Sequence, residues 1–248
     1  MIRAVVVLVL TLFGGVAAAQ SLTLSPAVVP LGGSPGQSTT QHLTLSNGTS
    51  QPLSFTVVAK DVVVRNGART FVDPGELRGS VAATAVFSAH TVLIGPGEQR
   101  SINVTLTLPA QMTSRGVVIL FQGTTRINGG ATASLGSLLT FDLAGTQSVS
   151  IGELHADPPT ASSNAQVTVP VTNDGSEPVI TRGAAAIVTV GGALVGKVAL
   201  APRRLLPGER SALQADYAGQ LPRGSYRVIA TIEGAQHAWT RTAELTVR

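Results

Sequence analysis

The 248-residue sequence contains no cysteine. That excludes disulfides, thiolate metal sites, a catalytic thiol and a lipid-modified cysteine. Charge is also scarce, at 12% of residues, and aromatics make up only 4%. With 44% apolar residues, the chain has the opposite balance to a disordered one. Its core must be built from Val, Leu, Ile and Ala. Only 2 lysines stand beside 15 arginines, and no run of four basic residues occurs. The formal charge of +4 is therefore spread thinly and is no footprint for nucleic acid. No apolar run of transmembrane length follows residue 20. No paired-histidine spacing, clustered carboxylates or amphipathic helix is present, so neither metal, cofactor nor small-molecule substrate is expected.

The first twenty residues have the pattern of an export signal. Arg3 supplies a positive start, Ala4 to Phe13 an apolar run, and Ala17-Ala18-Ala19 a small-residue cleavage site. A signal peptide over 1–19 and a periplasmic or extracellular destination are expected. An exported chain without disulfides must be held together by cores of ordinary size.

Beyond residue 20, apolar and polar residues alternate with period two. Leu53, Phe55 and Val57 do so, as do Ile102 to Leu108, Val167 to Val171, and the series Leu135, Leu139, Phe141, Leu143. Each pattern predicts a strand with one buried face. Val117 to Phe121 is continuously apolar and predicts a central strand buried on both faces. Pro170 predicts that its strand lies at a sheet edge. Turn dipeptides punctuate these runs, among them Asn47-Gly48, Asn66-Gly67, Asn128-Gly129, Gly191-Gly192 and Pro207-Gly208. Short strands with regular turns predict an all-β fold, a β-sandwich.

The sequence also echoes itself. Leu45-Ser46-Asn47-Gly48-Thr49-Ser50-Gln51-Pro52-Leu53 corresponds in residue type to Val171-Thr172-Asn173-Asp174-Gly175-Ser176-Glu177-Pro178-Val179. Later in each half, Gly95-Pro96-Gly97-Glu98 corresponds to Leu206-Pro207-Gly208-Glu209. Two motifs repeated in one order predict one module present twice. The first copy is longer between the motifs, with Asn66 to Gly79 as the expected insertion. The small, polar stretch Ala144-Gly145-Thr146-Gln147 is the expected linker. Two immunoglobulin-like sandwiches are predicted, over 21–144 and 148–248.

The pieces Leu43-Thr44-Leu45-Ser46-Asn47, Gly95-Pro96-Gly97-Glu98 and Ile102 to Pro109 resemble the amino-terminal domain of periplasmic pilus-assembly chaperones, over Leu22 to Leu143. Pro35-Gly36-Gln37 is also similar to a motif of Gram-positive surface proteins with paired peptidoglycan-binding, immunoglobulin-like domains. The first resemblance implies a non-enzymatic, chaperone-like protein that assists assembly of surface-fibre or envelope proteins through β-strand interactions. The alternative is a structural or adhesive envelope protein that binds surface proteins or the wall. The chaperone family anchors a subunit's carboxylate with an Arg on the first strand and a cleft Lys. Here Ser21 to Val29 holds no basic residue and no Lys lies between Asp61 and Gly196, which leaves Arg115 or Arg126 as substitutes. Strand lending to a protein partner is the transferable idea, with Leu135, Leu139, Phe141 and Leu143 as the candidate partner-binding side chains.

Other features are expected to be structural. Gly32-Gly33-Ser34-Pro35-Gly36 matches a hydrolase elbow formally, but it falls between strands, where no helix follows. Pro202-Arg203-Arg204 is expected at a solvated turn, and Trp239 in the core.

Overall fold

The computed structural model describes residues 21–126 and 132–248. The expected signal peptide and the Asn128-Gly129 turn lie outside the described residues. Within them, eighteen strands and a single turn of 3-10 helix, Ala82–Thr84, make up the regular structure. The all-β class follows directly.

Ten strands build the first sandwich. One sheet runs in the order β1 (Leu22–Ser25), β3 (Ser38–Asn47), β8 (Gln99–Thr107), β6 (Val86–Phe87). The facing sheet runs β2 (Val28–Gly32), β10 (Thr132–Asp142), β9 (Gly116–Arg126), β4 (Leu53–Arg65), β5 (Ala68–Val72), with β7 (Thr91–Ile94) also paired to β4. Between the sheets lie Leu43, Leu45, Phe55, Ile94, Leu106, Ile119, Phe121, Leu139 and Phe141, all essentially inaccessible to solvent. The alternating patterns supply this layer, each strand turning every second side chain inward. β9 is central, as its apolar run predicts. Val117, Ile119 and Phe121 face the core, and Val118 packs on the other face with Val62, Leu138 and Leu206.

Eight strands build the second sandwich. One sheet centres on β13 (Ala165–Asn173), flanked by β11 (Val149–Ile151) and β12 (His155–Asp157) on one side and β16 (Arg210–Tyr217) on the other. The other runs β15 (Leu194–Leu205), β14 (Val179–Thr189), β17 (Gly224–Gly234), β18 (His237–Val247). Val169, Ile187, Leu213, Val228 and Ile232 fill its core.

Two expectations are corrected here. The strand holding Pro170 is internal, not an edge. Its neighbour on one side is broken: β11 pairs with Val171–Asn173 and β12 with Gln166–Thr168. Asn173 directs its N–H toward Glu209, on the β16 side. Even-numbered positions therefore point the other way, so the proline nitrogen falls at the break, where no ladder bond is demanded. The extra residues of the first module overlap the expected Asn66 to Gly79 only in part, beginning after β5 and running past Gly79. One strand, β15, pairs along β14 with two register shifts, whereas β4 is paired first by β5 and then by β7. The interruption between β5 and β7 holds the 3-10 turn and β6.

The sequence echo is reproduced bond for bond. The Asn47 amide donates to the carbonyl of Gln51 at 2.8 Å and accepts from the Thr49 N–H at 3.0 Å. Asn173 donates to the carbonyl of Glu177 at 2.8 Å and accepts from the Gly175 N–H at 2.9 Å. Their backbones repeat the match. The Asn47 N–H donates to the Glu98 carbonyl and the Asn47 carbonyl accepts from the Gly97 N–H, while the Asn173 N–H donates to the Glu209 carbonyl and its carbonyl accepts from the Gly208 N–H. In each copy the Pro-Gly-Glu turn is thus clamped onto the end of a strand.

Candidate functional site

β9 and β10 form a long hairpin. β10 pairs along its length with β9, but β2 covers its other side only from Leu138 to Asp142, in parallel. The chain reaches β2 by leaving the first sheet after Ser25. Ser137 Oγ donates to the Pro26 carbonyl at 2.7 Å, closing that crossing. Upstream, Thr132–Gly136 has no strand on this side among the described residues. Leu138 N–H donates toward Ala27, on the β2 side, and Phe141 N–H toward Arg115, on the β9 side. Even-numbered residues therefore direct their backbone groups to the open edge, which presents those of Ser134 and Gly136. A register shift between Thr132 and Ser134 marks the head of this segment, and there Gly123 lies so close to the Ala133 carbonyl that no side chain fits.

The four predicted side chains lie on or just beyond this strand. Leu139 and Phe141 are fully buried in the first sandwich's own core, beneath the part covered by β2. Leu135 is half-buried beside the open edge and packs on the same core. Leu143 lies past the strand, at the passage to the second sandwich, where its N–H donates to Glu177 Oε2 at 3.0 Å.

That passage is a built joint. Glu177, only 1% exposed, accepts from the backbone of Leu143 and Gly145 and pairs with Arg115 Nε at 3.3 Å. Arg115 is thereby committed to the joint. Arg69 pairs with Glu209 at 2.9 Å, and Arg210 N–H donates to Gly67 at 2.8 Å. Val62, Val118, Leu138 and Leu206 close an apolar seam beside these pairs. Both acids belong to turns that the repeat duplicates. Gln51 and Glu98 occupy the corresponding places in the first copy, where Glu98 accepts from Gly95 N–H as Glu209 does from Leu206 N–H, but pairs with the nearby Arg100. This second role of the turn acids has no sequence signal, since their partners lie 62 and 140 residues away.

The remaining candidates resolve simply. The Gly32–Gly36 segment is a turn closed by Gln37 N–H to Ser34 O at 3.0 Å. His42 bonds Asn103 at 2.6 Å. No group of three metal-ligating side chains forms among the described residues. Trp239 packs partly buried on the second core. Arg203 and Arg204 lie not in a turn but in strand β15, paired with Thr181 and Ile180. The strand continues through Pro202 because β15 is a sheet edge, where a missing donor costs no ladder bond.

No family model matches the chain, and no curated protein sequence matches it. Among solved structures, the CupB2 chaperone of Pseudomonas aeruginosa is similar at 11% identity and a TM-score of 0.42, covering 91% of this chain and 100% of that one. The E. coli chaperone DraB is similar at 14% identity and 0.41, covering 91% and 98%. A chain of the CsuC-CsuE chaperone-tip adhesion subunit pre-assembly complex of Acinetobacter baumannii is similar at 8% and 0.42, also covering 91% and 98%. The two-sandwich architecture itself is defined by the strand pairing above.

Proposed function

We propose that this chain is an exported, non-enzymatic, chaperone-like protein that lends the open edge of β10 to a protein partner, a subunit of a surface fibre or the envelope. We place its two domains at 21–144 and 148–248, joined through Ala144 to Gln147. The observation that carries the reading is the half-covered strand. β2 begins only opposite Leu138, leaving Ser134 and Gly136 with outward backbone groups, beside a half-buried Leu135. An extended segment docking there would complete the ladder with main-chain bonds, while pockets for alternate side chains choose the partner. The lending segment is accordingly narrower than the four predicted side chains: Leu135 belongs to it, and Leu139 and Phe141 support it from the core. The chaperones similar in shape support this reading, and a periplasmic location follows from it together with the signal pattern.

The test is capture of a partner from envelope extract by the wild-type chain and by Leu135→Asp, with folding monitored by circular dichroism. A small β-rich subunit recovered near one-to-one by the wild type and lost by the variant supports lending. Equal recovery by both, or recovery of wall fragments alone, sinks it in favour of a structural role.

A further inference from the structure

The hairpin joining β14 to β15 turns at the end of the second sandwich away from the joint. The two strands pair from Val179 with Leu205, next to Glu177, as far as Val188 with Leu194. At about 3.3 Å per residue, β14 carries the turn roughly 30 Å from that end. From Val190 to Val195 the chain reads Val-Gly-Gly-Ala-Leu-Val, without one polar side chain. Tight turns are ordinarily polar, because Asn, Asp and Ser side chains bond the turn backbone. Here Val190 is 70% exposed and Leu194 56%. The tip is nonetheless firmly built. Thr189 N–H donates to the Ala193 carbonyl and Gly192 N–H to the Thr189 carbonyl, both at 2.9 Å, and Ala193 N–H donates to Thr189 Oγ1 at 3.1 Å. The Tyr217 ring occupies the space where Gly196 and Gly219 lack side chains, and its hydroxyl donates to the Val195 carbonyl at 3.3 Å. The two aliphatic side chains are therefore held out in water by an ordered turn. Cations flank them. Lys197 lies opposite Ala186, Arg227 opposite Val188, and Arg223 just before the start of β17. All three are exposed and none is in an ion pair among the described residues. The nearby acid on this sheet is Glu244, opposite Arg227. Asp157 and Asp216 belong to the other sheet, on either side of Gln166.

We propose that this tip is a membrane contact, in which Val190 and Leu194 enter the headgroup layer of an anionic bilayer while Lys197, Arg223 and Arg227 meet its phosphates. An apolar protrusion with a basic collar suits a lipid surface, since the aliphatic side chains leave water and the cations stay at headgroup level. A protein pocket is the poorer match. Protein contacts are specified by aromatic and hydrogen-bonding anchors, and no side chain from Val190 to Val195 is either. No described helix is long and apolar enough to cross a membrane, and two aliphatic side chains make a reversible contact. The contact lies wholly in the second sandwich and does not depend on strand lending.

The test is flotation of the folded protein with vesicles of phosphatidylcholine, alone or with about one-third phosphatidylglycerol. The expected result is binding to the anionic vesicles at least about tenfold tighter than to the neutral ones, and weaker as salt rises. Val190→Asp/Leu194→Asp is expected to reduce that binding at least about tenfold, and Lys197→Gln/Arg227→Gln to remove the preference for anionic lipid. Leu93→Asp, at an equally exposed position on β7 of the first sandwich, leaves binding unchanged. Circular dichroism checks that each variant is folded, and Leu194→Ser serves if the double Asp variant is not. Absence of flotation with anionic vesicles, or equal flotation by the folded tip variants, overturns the contact. So does loss of a protein from envelope extract by Leu194→Ser when the wild type does not float, which would make the tip a protein surface.

Discussion

Replacing Asn173 by Ala removes the clamp of the second sandwich. Its amide donates to the carbonyls of Glu177 and Leu205, at 2.8 and 3.1 Å, and accepts from Gly175 at 2.9 Å. The residue is fully buried, so water does not replace these partners. Three hydrogen bonds at about 1 kcal/mol each, with the stranded carbonyls adding to the loss, give roughly 3–4 kcal/mol. Asn47 has three carbonyls near its amide nitrogen, those of Gln51, Ile94 and Gly95, but only two hydrogens to give. Asn47→Ala is therefore expected to cost the first sandwich a similar amount, within about 1 kcal/mol. Because Trp239 is the only tryptophan, denaturant unfolding followed by its fluorescence reports the second sandwich. Asn173→Asp sharpens the test. It keeps the shape but turns an acceptor toward two carbonyls, so it must be at least as damaging as Ala. A loss under about 1 kcal/mol for Asn173→Ala, or a tolerated Asp, would refute the clamp.

Three other outcomes are expected. Glu177→Ala costs about 3 kcal/mol because it strands Arg115 and two linker amides, and a double-mutant cycle with Arg115→Ala shows a coupling of about 1 kcal/mol. Additive single effects would mean the pair does not hold the joint. Leu139→Ala lowers the stability of the first sandwich by about 2–5 kcal/mol in urea unfolding, since the side chain is wholly inside the core. A loss below 1 kcal/mol would contradict that placement. Gly123→Val displaces the Ala133 carbonyl and weakens partner capture more than it lowers the melting temperature; unchanged capture would show that the head of β10 is not used.

Much of the fold was legible because it rests on local chemistry. The alternation in Ile102 to Leu108 and the continuous Val117 to Phe121 run announce half-buried and central strands, and the structure has both. The repeated Asn and Pro-Gly-Glu turns were readable because each side chain bonds backbone a few residues away in its own turn. What escaped is non-local. Nothing near Pro170 tells that its neighbouring strand breaks beside it. Nothing near Leu135 tells that β2, more than a hundred positions earlier, begins only opposite Leu138. Leu135, Leu139, Phe141 and Leu143 share one parity and look alike in sequence, yet a strand from the far end of the sandwich separates the open from the covered. Arg203 and Arg204 resembled a turn because Pro202 precedes them, and nothing local tells that β15 runs on through that proline beside Thr181 and Ile180.

The central claim, an open β10 edge that receives a partner's strand, is tested most directly by Ser134→Pro. Ser134 is exposed, and by the alternation along β10 its N–H points away from β9. A proline there deletes one edge donor while sparing the β9 ladder. The measurement is partner recovery from envelope extract by the variant and the wild type, beside their melting temperatures. The account predicts a melting temperature within a few degrees of wild type and recovery reduced at least about tenfold. Undiminished recovery by a folded Ser134→Pro variant would contradict it.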